Sequence, residues 1–510
     1  MGGLSAEKRT EILTSPIPPT AIITITFSAL FFFLTTITII LTHAHPHTAM
    51  PDAGIPANVV EQVIRDLRTL DTRPNLNLAS FVTTWMEPEC RQLMMESLDV
   101  NFVDSEEYPS CQDIANRCIS MLAQLYHSPA VDNHGIGDAV GAPAVGSSEA
   151  IMLGGLAMKK RWVERRQSAH QDVSKPNLVM GSETHVCWEK FCRYWDVEAR
   201  YVFAEDGRYA ATPELLAAHC DENTIGVVAV LGSTYTGEFE DVEGIDAAVS
   251  KLNEANGWKI VIHVDGASGA MVAPFIYPDF KFDFRLPNVC SINVSGHKYG
   301  LVYPGLGWAI WRDADHLPES MVFYCDYLGS LERSITLNFS RGASQIIGQY
   351  YQFLRLGRQG YTRIMSNLAC IASKVRAEIE KSDHFTIISK DIGVPLVAFQ
   401  LKPIMKDGKP HKRLYDEFQV AERCRIAGWV IPAYAAPKGA EHIKMMRITI
   451  REDFSMTMAE QVVKELNHAV DWLDNHFTIT STELAKLLNR QMSRMDSRLL
   501  HDLSALIKPC

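Results

Sequence analysis

The chain has 510 residues, 47% of them hydrophobic and 21% charged, with a formal net charge of −11. That length exceeds one compact core, so two domains with terminal additions are expected. The acidic balance leaves no basic face for nucleic acid, and no zinc-ligand spacing, P-loop or dinucleotide fingerprint stands in a usable context, so neither nucleic acid nor a metal is an expected partner.

Residues 1–20 read as a polar N-terminal tail. Residues 21–42 carry no charged side chain, with Lys8 and Arg9 before them. About 20 apolar residues suffice to cross a bilayer, and the core of a cleaved signal would be shorter. The stretch is therefore a candidate transmembrane tether, with a signal-like segment or a misassigned translation start as rivals. Eleven cysteines, an odd number without a CxxC pair, run from Cys90 to Cys510. That pattern predicts free thiols and a catalytic part in the reducing cytoplasm. The charge rule conflicts with this, because Lys8 and Arg9 would hold the N-terminus in the cytosol and carry the rest across the membrane.

Residues 43–58, rich in His, Pro and Ala, read as a linker, and 59–90 as an N-terminal helical segment. Val60, Val63, Ile64 and Leu67 fall at amphipathic spacing, and the block after Pro74 is expected to lead into a second helix through Trp85. Residues 91–369 form the large domain, in which short apolar runs alternate with helical patterns. Ile225–Leu231, Lys259–Asp265 and Ser291–Val294 read as buried strands with little polar alternation. The class is α/β: a mostly parallel seven-stranded sheet covered by helices, with ligands beyond the strand ends. Residues 370–478 read as a smaller C-terminal α+β domain, with Gly393–Phe399 and Met446–Ile450 as strands. Residues 479–510 read as a helical tail, where Lys486, Arg490, Arg494 and Arg498 make a basic stripe beside Leu484, Leu488 and Met495.

Four features follow predicted strands and describe one cofactor site. Lys298 stands in Ser291–Gly300 (SINVSGHKYG), just past a buried strand on a turn at Gly296. A lysine that must attack an aldehyde has to be partly desolvated, so that its amine is often neutral. Asp265, in His263–Gly269 (HVDGASG), ends a strongly apolar strand, where an unpaired carboxylate costs several kcal/mol. Pairing with a pyridinium nitrogen would account for it. Gly146–Ala150 (GSSEA) opens a helix whose free N–H groups, with Ser147 and Ser148, suit a phosphate, although Ser147 and Glu149 alone would be an ordinary capped start. Thr234 adds a hydroxyl. His185, in Glu183–Phe191 (ETHVCWEKF), could stack on an aromatic cofactor ring. Phosphate helix, stacking residue, acid and lysine in this order indicate pyridoxal 5′-phosphate.

These motifs, with Asn77–Glu89 (NLASFVTTWMEPE), Asp104–Pro109 (DSEEYP), Asp326–Gly329, Asn338–Arg341 and Gln349–Arg358, resemble the glutamate decarboxylases, group II pyridoxal-phosphate decarboxylases of fold type I, over about residues 59–475. The resemblance implies decarboxylation of L-glutamate to 4-aminobutanoate. It implies a catalytic set of Lys298 (the Schiff-base lysine), Asp265, His185 and His297, with Ser147, Ser148, Thr234, Ser295 and His297 on the phosphate. Arg447 would grip the α-carboxylate. Ser80, Phe81, Asn101 and Asp104 would form the distal-carboxylate pocket, completed across a homodimer or a hexamer of dimers. Two acids meeting at Asp104 would favour activity at mildly acidic pH. Two departures bear on substrate: His185 stands where many glutamate decarboxylases have glutamine, and Gly266 where alanine is common. The rivals are an aromatic amino-acid decarboxylase, a membrane-anchored sphingosine-phosphate lyase, and a cofactor-binding protein without turnover. Plant relatives bind calmodulin through a basic C-terminal helix. Here the tail lacks tryptophan and Asp496 and Asp502 interrupt its charge, so a helix docked on its own chain is preferred.

Overall fold

The structure, a computed structural model, describes residues 49–325, 332–406 and 408–476. The apolar stretch 21–42, the Asp326–Gly329 motif and the tail 479–510 lie outside these residues. Among the described residues no helix is long and apolar enough to cross a membrane, and Cys90, Cys111, Cys118, Cys187, Cys192, Cys220, Cys290, Cys370 and Cys424 are free thiols.

Two units divide at Asp71/Thr72. The first contains helix α1 (Ala57–Arg68), which carries the predicted Val60/Val63/Ile64/Leu67 stripe and an Arg65–Glu61 pair one turn apart.

In the second unit, seven strands form one sheet: β1 (Val140–Ala144), β2 (Asn177–Gly181), β3 (Glu198–Val202), β4 (Thr224–Val230), β5 (Ile262–Asp265), β6 (Val289–Ser295) and β7 (Gly307–Trp311). Their spatial order is β1-β7-β6-β5-β4-β2-β3. Pairs from β3 to β6 are parallel, while β7 runs antiparallel to both β6 and β1. Strands β2, β4, β5, β6 and β7 are buried at every residue. Their alternate side chains enter two different cores: Leu178, Met180 and Val228 pack with Trp162, Trp188 and Phe191, whereas Val179, Val227 and Ala229 pack with Val242, Ile245 and Val249. Burial on both faces explains why these strands read as unbroken apolar runs.

The helices that cover the sheet include α2 (Pro88–Met95), α3 (Pro109–Leu125), α4 (Ser147–Ser168), α5 (Val186–Tyr194), α6 (Pro213–Ala218) and α7 (Val242–Asn256). Helix α8 (Ser344–Glu380) is interrupted at Gly357, whose φ of 57° is a left-handed conformation that suits glycine. It packs against α2, α3, α10 (Met456–His476) and a second sheet. That sheet contains β8 (Phe385–Ile387), β9 (Leu396–Leu401), β10 (Ala433–Ala435) and β11 (Lys444–Thr449) in the order β8-β9-β11-β10, antiparallel throughout. Helix α9 (Glu417–Ile426) packs on β10 and β11.

The expected helix through Trp85 is not formed. After a single 3-10 turn at Pro74–Leu76, residues 77–87 run as irregular chain, and α2 starts only at Pro88. Tertiary partners win over helical spacing here. The Leu78 amide donates to the Val430 carbonyl, and the Leu78 carbonyl accepts from Thr449 N. Arg451, 1% exposed, donates to the carbonyls of Asn77 (2.5 Å), Ser80 (2.7 Å) and Pro74 (3.1 Å). Glu452 Oε1 accepts from the amides of Thr84 and Trp85, and Asp453 accepts from the Thr84 hydroxyl. The chain leaving β11 thus grips the segment that carries Ser80 and Phe81.

Arg451→Met leaves the Asn77 and Ser80 carbonyls without this donor and removes the buried cation beside Asp453. We expect it to cost about 3–5 kcal/mol of stability, with Arg451→Lys recovering only part; denaturant titration of both variants checks this.

Candidate active site

Four loops at the carboxyl ends of the parallel strands converge on one cavity of about 380 Å³. The chain after β2 contributes Glu183, His185 and Cys187, that after β4 Thr234, that after β5 Asp265 and Ser268, and that after β6 Ser295, His297 and Lys298; the start of α4 adds Gly146, Ser147 and Ser148. The eight predicted cofactor-binding residues therefore line one space.

Lys298 is placed by two turns of chain. Its amide donates to Ser295 O, and its carbonyl accepts from the Thr83 hydroxyl at 2.8 Å. Its Nζ donates to Ser268 Oγ at 3.2 Å and stands 5.3 Å from the centre of the Phe81 ring. Burial lowers its pKa, with Arg447 adding to the effect and Asp265 and Cys187 opposing it. Desolvation thus raises the neutral, nucleophilic fraction of the amine.

Asp265, 6% exposed, ends β5. Its Oδ2 accepts from Trp188 Nε1 (2.9 Å), and its Oδ1 accepts from Asn293 Nδ2 (3.0 Å) and the Ala267 amide (3.2 Å). Trp188 lies one turn into α5, whose first amides are capped by His185: its Nδ1 accepts from Cys187 N at 3.3 Å. One short helix therefore both aims the candidate stacking residue and orients the acid. Burial lowers the pKa of His185, so its ring is neutral near pH 7.

The start of α4 gathers hydroxyls. Ser147 Oγ lies 2.6 Å from Ser295 Oγ, and Ser148 Oγ lies 2.8 Å from Cys187 Sγ. His297 Nδ1 is buried without a hydrogen-bond partner, and burial, with Lys298 beside it, lowers its pKa to about 4. Glu149 does more than complement the helix dipole. Its Oε2 accepts from Val145 N, and its Oε1 accepts from the amides of Leu337 and Asn338, which ties two loops to the helix. An orphaned ring nitrogen, three serine hydroxyls, one threonine hydroxyl and a helix N-terminus fit a phosphate, while a buried carboxylate and a desolvated lysine fit the ring and aldehyde of pyridoxal phosphate.

Arg447 lies beyond Lys298. Its guanidinium carbon is 5.5 Å from the centre of the Phe81 ring and 4.9 Å from that of Tyr434, and its Nη2 donates to Ala79 O. Its buried Nε has no partner. Phe81 and Arg447 are thus brought to Lys298. Ser80 precedes Phe81, but its hydroxyl accepts from Val82 N in a local turn. Asn101 and Asp104 are elsewhere: Asn101 Nδ2 donates to Asp104 Oδ2 (3.0 Å), and Asn101 Oδ1 accepts from Arg341 N. They lie beside a second cavity of about 670 Å³, lined in part by Phe102, Ser105 and Arg341.

Several residues of the site escaped sequence reading: Trp188, Asn293, Thr83, Ser268 and the Glu183–Glu240 pair. Asn293 left a signal, a polar residue within an apolar strand. Glu183 and Glu240, each 2% exposed, both accept from the Ala211 amide, at 2.8 and 3.2 Å, and Glu240 also accepts from Val230 N.

The fold and this cavity define a fold type I pyridoxal-phosphate enzyme. Residues 47–402 match the model of the pyridoxal-dependent decarboxylase conserved domain. A glutamate decarboxylase of Petunia hybrida is 50% identical over 429 residues, covering 84% of this chain and 84% of its own. The glutamate decarboxylase of Lactobacillus brevis superposes with a TM-score of 0.79 at 38% identity, covering 85% of this chain and 96% of that one. A sphingosine-1-phosphate lyase of Burkholderia pseudomallei, at 20% identity and a TM-score of 0.69 over 90% of this chain and 99% of that one, shares the fold alone. The chain belongs to the pyridoxal-dependent decarboxylase family, on its glutamate decarboxylase branch, and its cofactor is pyridoxal 5′-phosphate.

Burial raises the pKa of both Glu183 and Glu240; the charge of Glu183 and its hydrogen bond raise Glu240 further, while the bond from Glu240 opposes the rise at Glu183, so the pair shares a proton. An acid raised on folding stabilises the protein at low pH and loses that contribution as pH climbs from the unfolded value, about 4.3, through the folded one. We expect the melting temperature to fall more steeply as pH rises above about 4.3 in the native protein than in Glu183→Gln. Parallel curves would contradict the shared proton.

Proposed function

We propose that this protein decarboxylates L-glutamate to 4-aminobutanoate and CO2. The observation that carries the reading is the file of Lys298, Phe81 and Arg447: one cation to bind the cofactor and a second, across one ring, to bind a substrate carboxylate. The Petunia and Lactobacillus relatives, both named glutamate decarboxylases, support the substrate. The aromatic-decarboxylase and sphingosine-lyase alternatives rest on fold alone.

Bound pyridoxal phosphate supplies an electron sink for the pair released when the bond to the α-carboxylate breaks. The chain's own residues set up that event. Lys298 holds the cofactor through its amine. Ser147, Ser148, Thr234, Ser295 and His297 hold the phosphate, and neutral His185 covers the ring. Asp265, oriented by its three donors, would hold a proton on the ring nitrogen. Arg447, whose Nε is free of protein partners, would take the α-carboxylate and so orient the substrate bond to be broken. Ser80 and Phe81 face the distal end of the substrate. Asn101 and Asp104 reach that end from a second copy of the chain, which accounts for their separation from Lys298 within one copy, and the active species is at least a dimer.

The test is CO2 release from glutamate, aspartate and aromatic amino acids. Glutamate is the expected substrate, and release from tyrosine or aspartate alone would overturn it. Lys298→Ala should lose turnover by several orders of magnitude and lose the absorbance of the lysine-bound cofactor. Mixed dimers of Lys298→Ala and Asp104→Ala chains contain one intact composite site. They should regain activity that neither parent has, and no regain would place Asp104 outside the site.

A further inference from the structure

Behind Asp265 runs a polar ladder that does not reach the cavity. His263 and Asp265 on β5 pair in register with Ser291 and Asn293 on β6. The side-chain alternation of the two strands puts all four on the face covered by α4 and α5. His263 and Asn293 are 0% exposed and Ser291 1%. His263 Nε2 lies 2.8 Å from Asn293 Oδ1, and its Nδ1 lies 2.7 Å from Ser291 Oγ. The imidazole packs edge-on against Trp188, at 5.0 Å between ring centres. It occupies room left by Gly154 of α4, where a methyl group would lie 2.5 Å from the ring. Sheet, helix and tryptophan therefore all leave space for this one histidine.

The direction of every hydrogen bond in the ladder follows from its end. Ionised Asp265 can only accept, so Asn293 turns its Nδ2 toward it. That leaves Asn293 Oδ1 facing His263, whose Nε2 must carry the proton. Burial lowers the pKa of His263, so the ring is neutral and Nδ1 is a lone pair that takes the Ser291 hydroxyl proton. Ser291, His263 and Asn293 thus donate in one direction, toward Asp265, and chained donors polarise one another. Trp188, which donates to the other carboxylate oxygen, is also the ring that His263 packs against.

We infer that His263 is a positioning residue for the cofactor: by locking the Asn293 amide it keeps the Asp265 carboxylate aimed at the ring nitrogen, without touching the cofactor itself. This rests on the reading that Asp265 holds that nitrogen. Without the His263 donor, Asn293 is free to turn over and present its oxygen to Asp265. The carboxylate then loses one of its three donors, meets a second oxygen, and is held less firmly toward the ring nitrogen.

The variants His263→Leu, His263→Gln and Ser291→Ala test this, with Asp265→Asn as reference. The readouts are the melting temperature of the apoenzyme, the dissociation constant for added pyridoxal phosphate, and the pH dependence of the bound cofactor's absorbance. His263→Leu should weaken cofactor binding about tenfold or more, as loss of an outer-shell partner does at other cofactor sites, and should shift the absorbance titration. His263→Gln, whose amide can donate to Asn293, should restore most of both. Native affinity and spectrum in His263→Leu, or equal losses in the Leu and Gln variants, would overturn the inference whatever happens to stability. Should His263→Leu not fold, Ser291→Ala keeps the ring and removes only its hydroxyl donor. It should move affinity and spectrum in the same direction by a smaller amount, and no movement would overturn the inference. If Asp265→Asn binds cofactor normally, the site reading itself fails; if only the His263 and Ser291 variants bind normally, the ladder alone fails.

Discussion

A carboxylate at the buried end of an apolar strand sets the terms for the rest of this molecule. Asp265 would be untenable there alone, since a desolvated anion without partners is neutralised or expelled. The fold answers with a tryptophan indole, a side-chain amide and a backbone amide, one from each of three different elements. Each donor imposes a further requirement. Trp188 fixes where α5 must start, which places His185 at the cavity rim. Asn293 fixes the register of β6 against β5, which decides where that strand ends and hence where Lys298 emerges. The two charged ends of the site are consequences of one packing solution.

The second dependence is on the small sheet. Arg447 within β11 and Arg451, Glu452 and Asp453 just past its end together hold residues 74–85 by backbone carbonyls, amides and one hydroxyl. Tyr299, next to Lys298, donates to the carbonyls of Pro395 and Ile450 from that same sheet. The lysine loop and the substrate-side loop are therefore referred to one strand end. Phe81 can stand within 5.3 Å of the Lys298 amine and 5.5 Å of the Arg447 guanidinium because the chain around it is fixed by both neighbours, and the negatively polarised face of a ring suits such groups.

Much of this was legible in the chain, wherever the signal is local. The turn carrying Lys298, the acid ending β5 and the serine-rich start of α4 each combine a strand or helix boundary with a residue type that needs explaining. Segment 77–87 was misleading for a physical reason: Leu78, Phe81 and Trp85 lie at helical spacing, but the backbone of Leu78 is claimed by Val430 and Thr449, the carbonyls of Asn77 and Ser80 by Arg451 and the amide of Trp85 by Glu452, all from the far end of the chain. The ladder of Ser291, His263 and Asn293 was hidden differently. Its members look like scattered polar interruptions until strand pairing sets them side by side. Glu183 and Glu240 meet only because the loops after β2 and β4 converge on Ala211. Asn101 and Asp104 entered by resemblance, and a single copy of the chain leaves them with Arg341, away from Lys298.

The grip of Arg451 on Asn77 spans 374 positions of sequence. During synthesis at about 5–20 residues per second, that separation is a delay of roughly 20–75 s. Through all of it Leu78, Phe81 and Met86, buried in the finished protein, have left the ribosome while the strand that will cover and anchor them does not yet exist. The substrate side of the site is among the first parts of this unit to be made and among the last to be closed. A nascent chain of this kind must be kept from aggregating through these residues until its final sheet is complete.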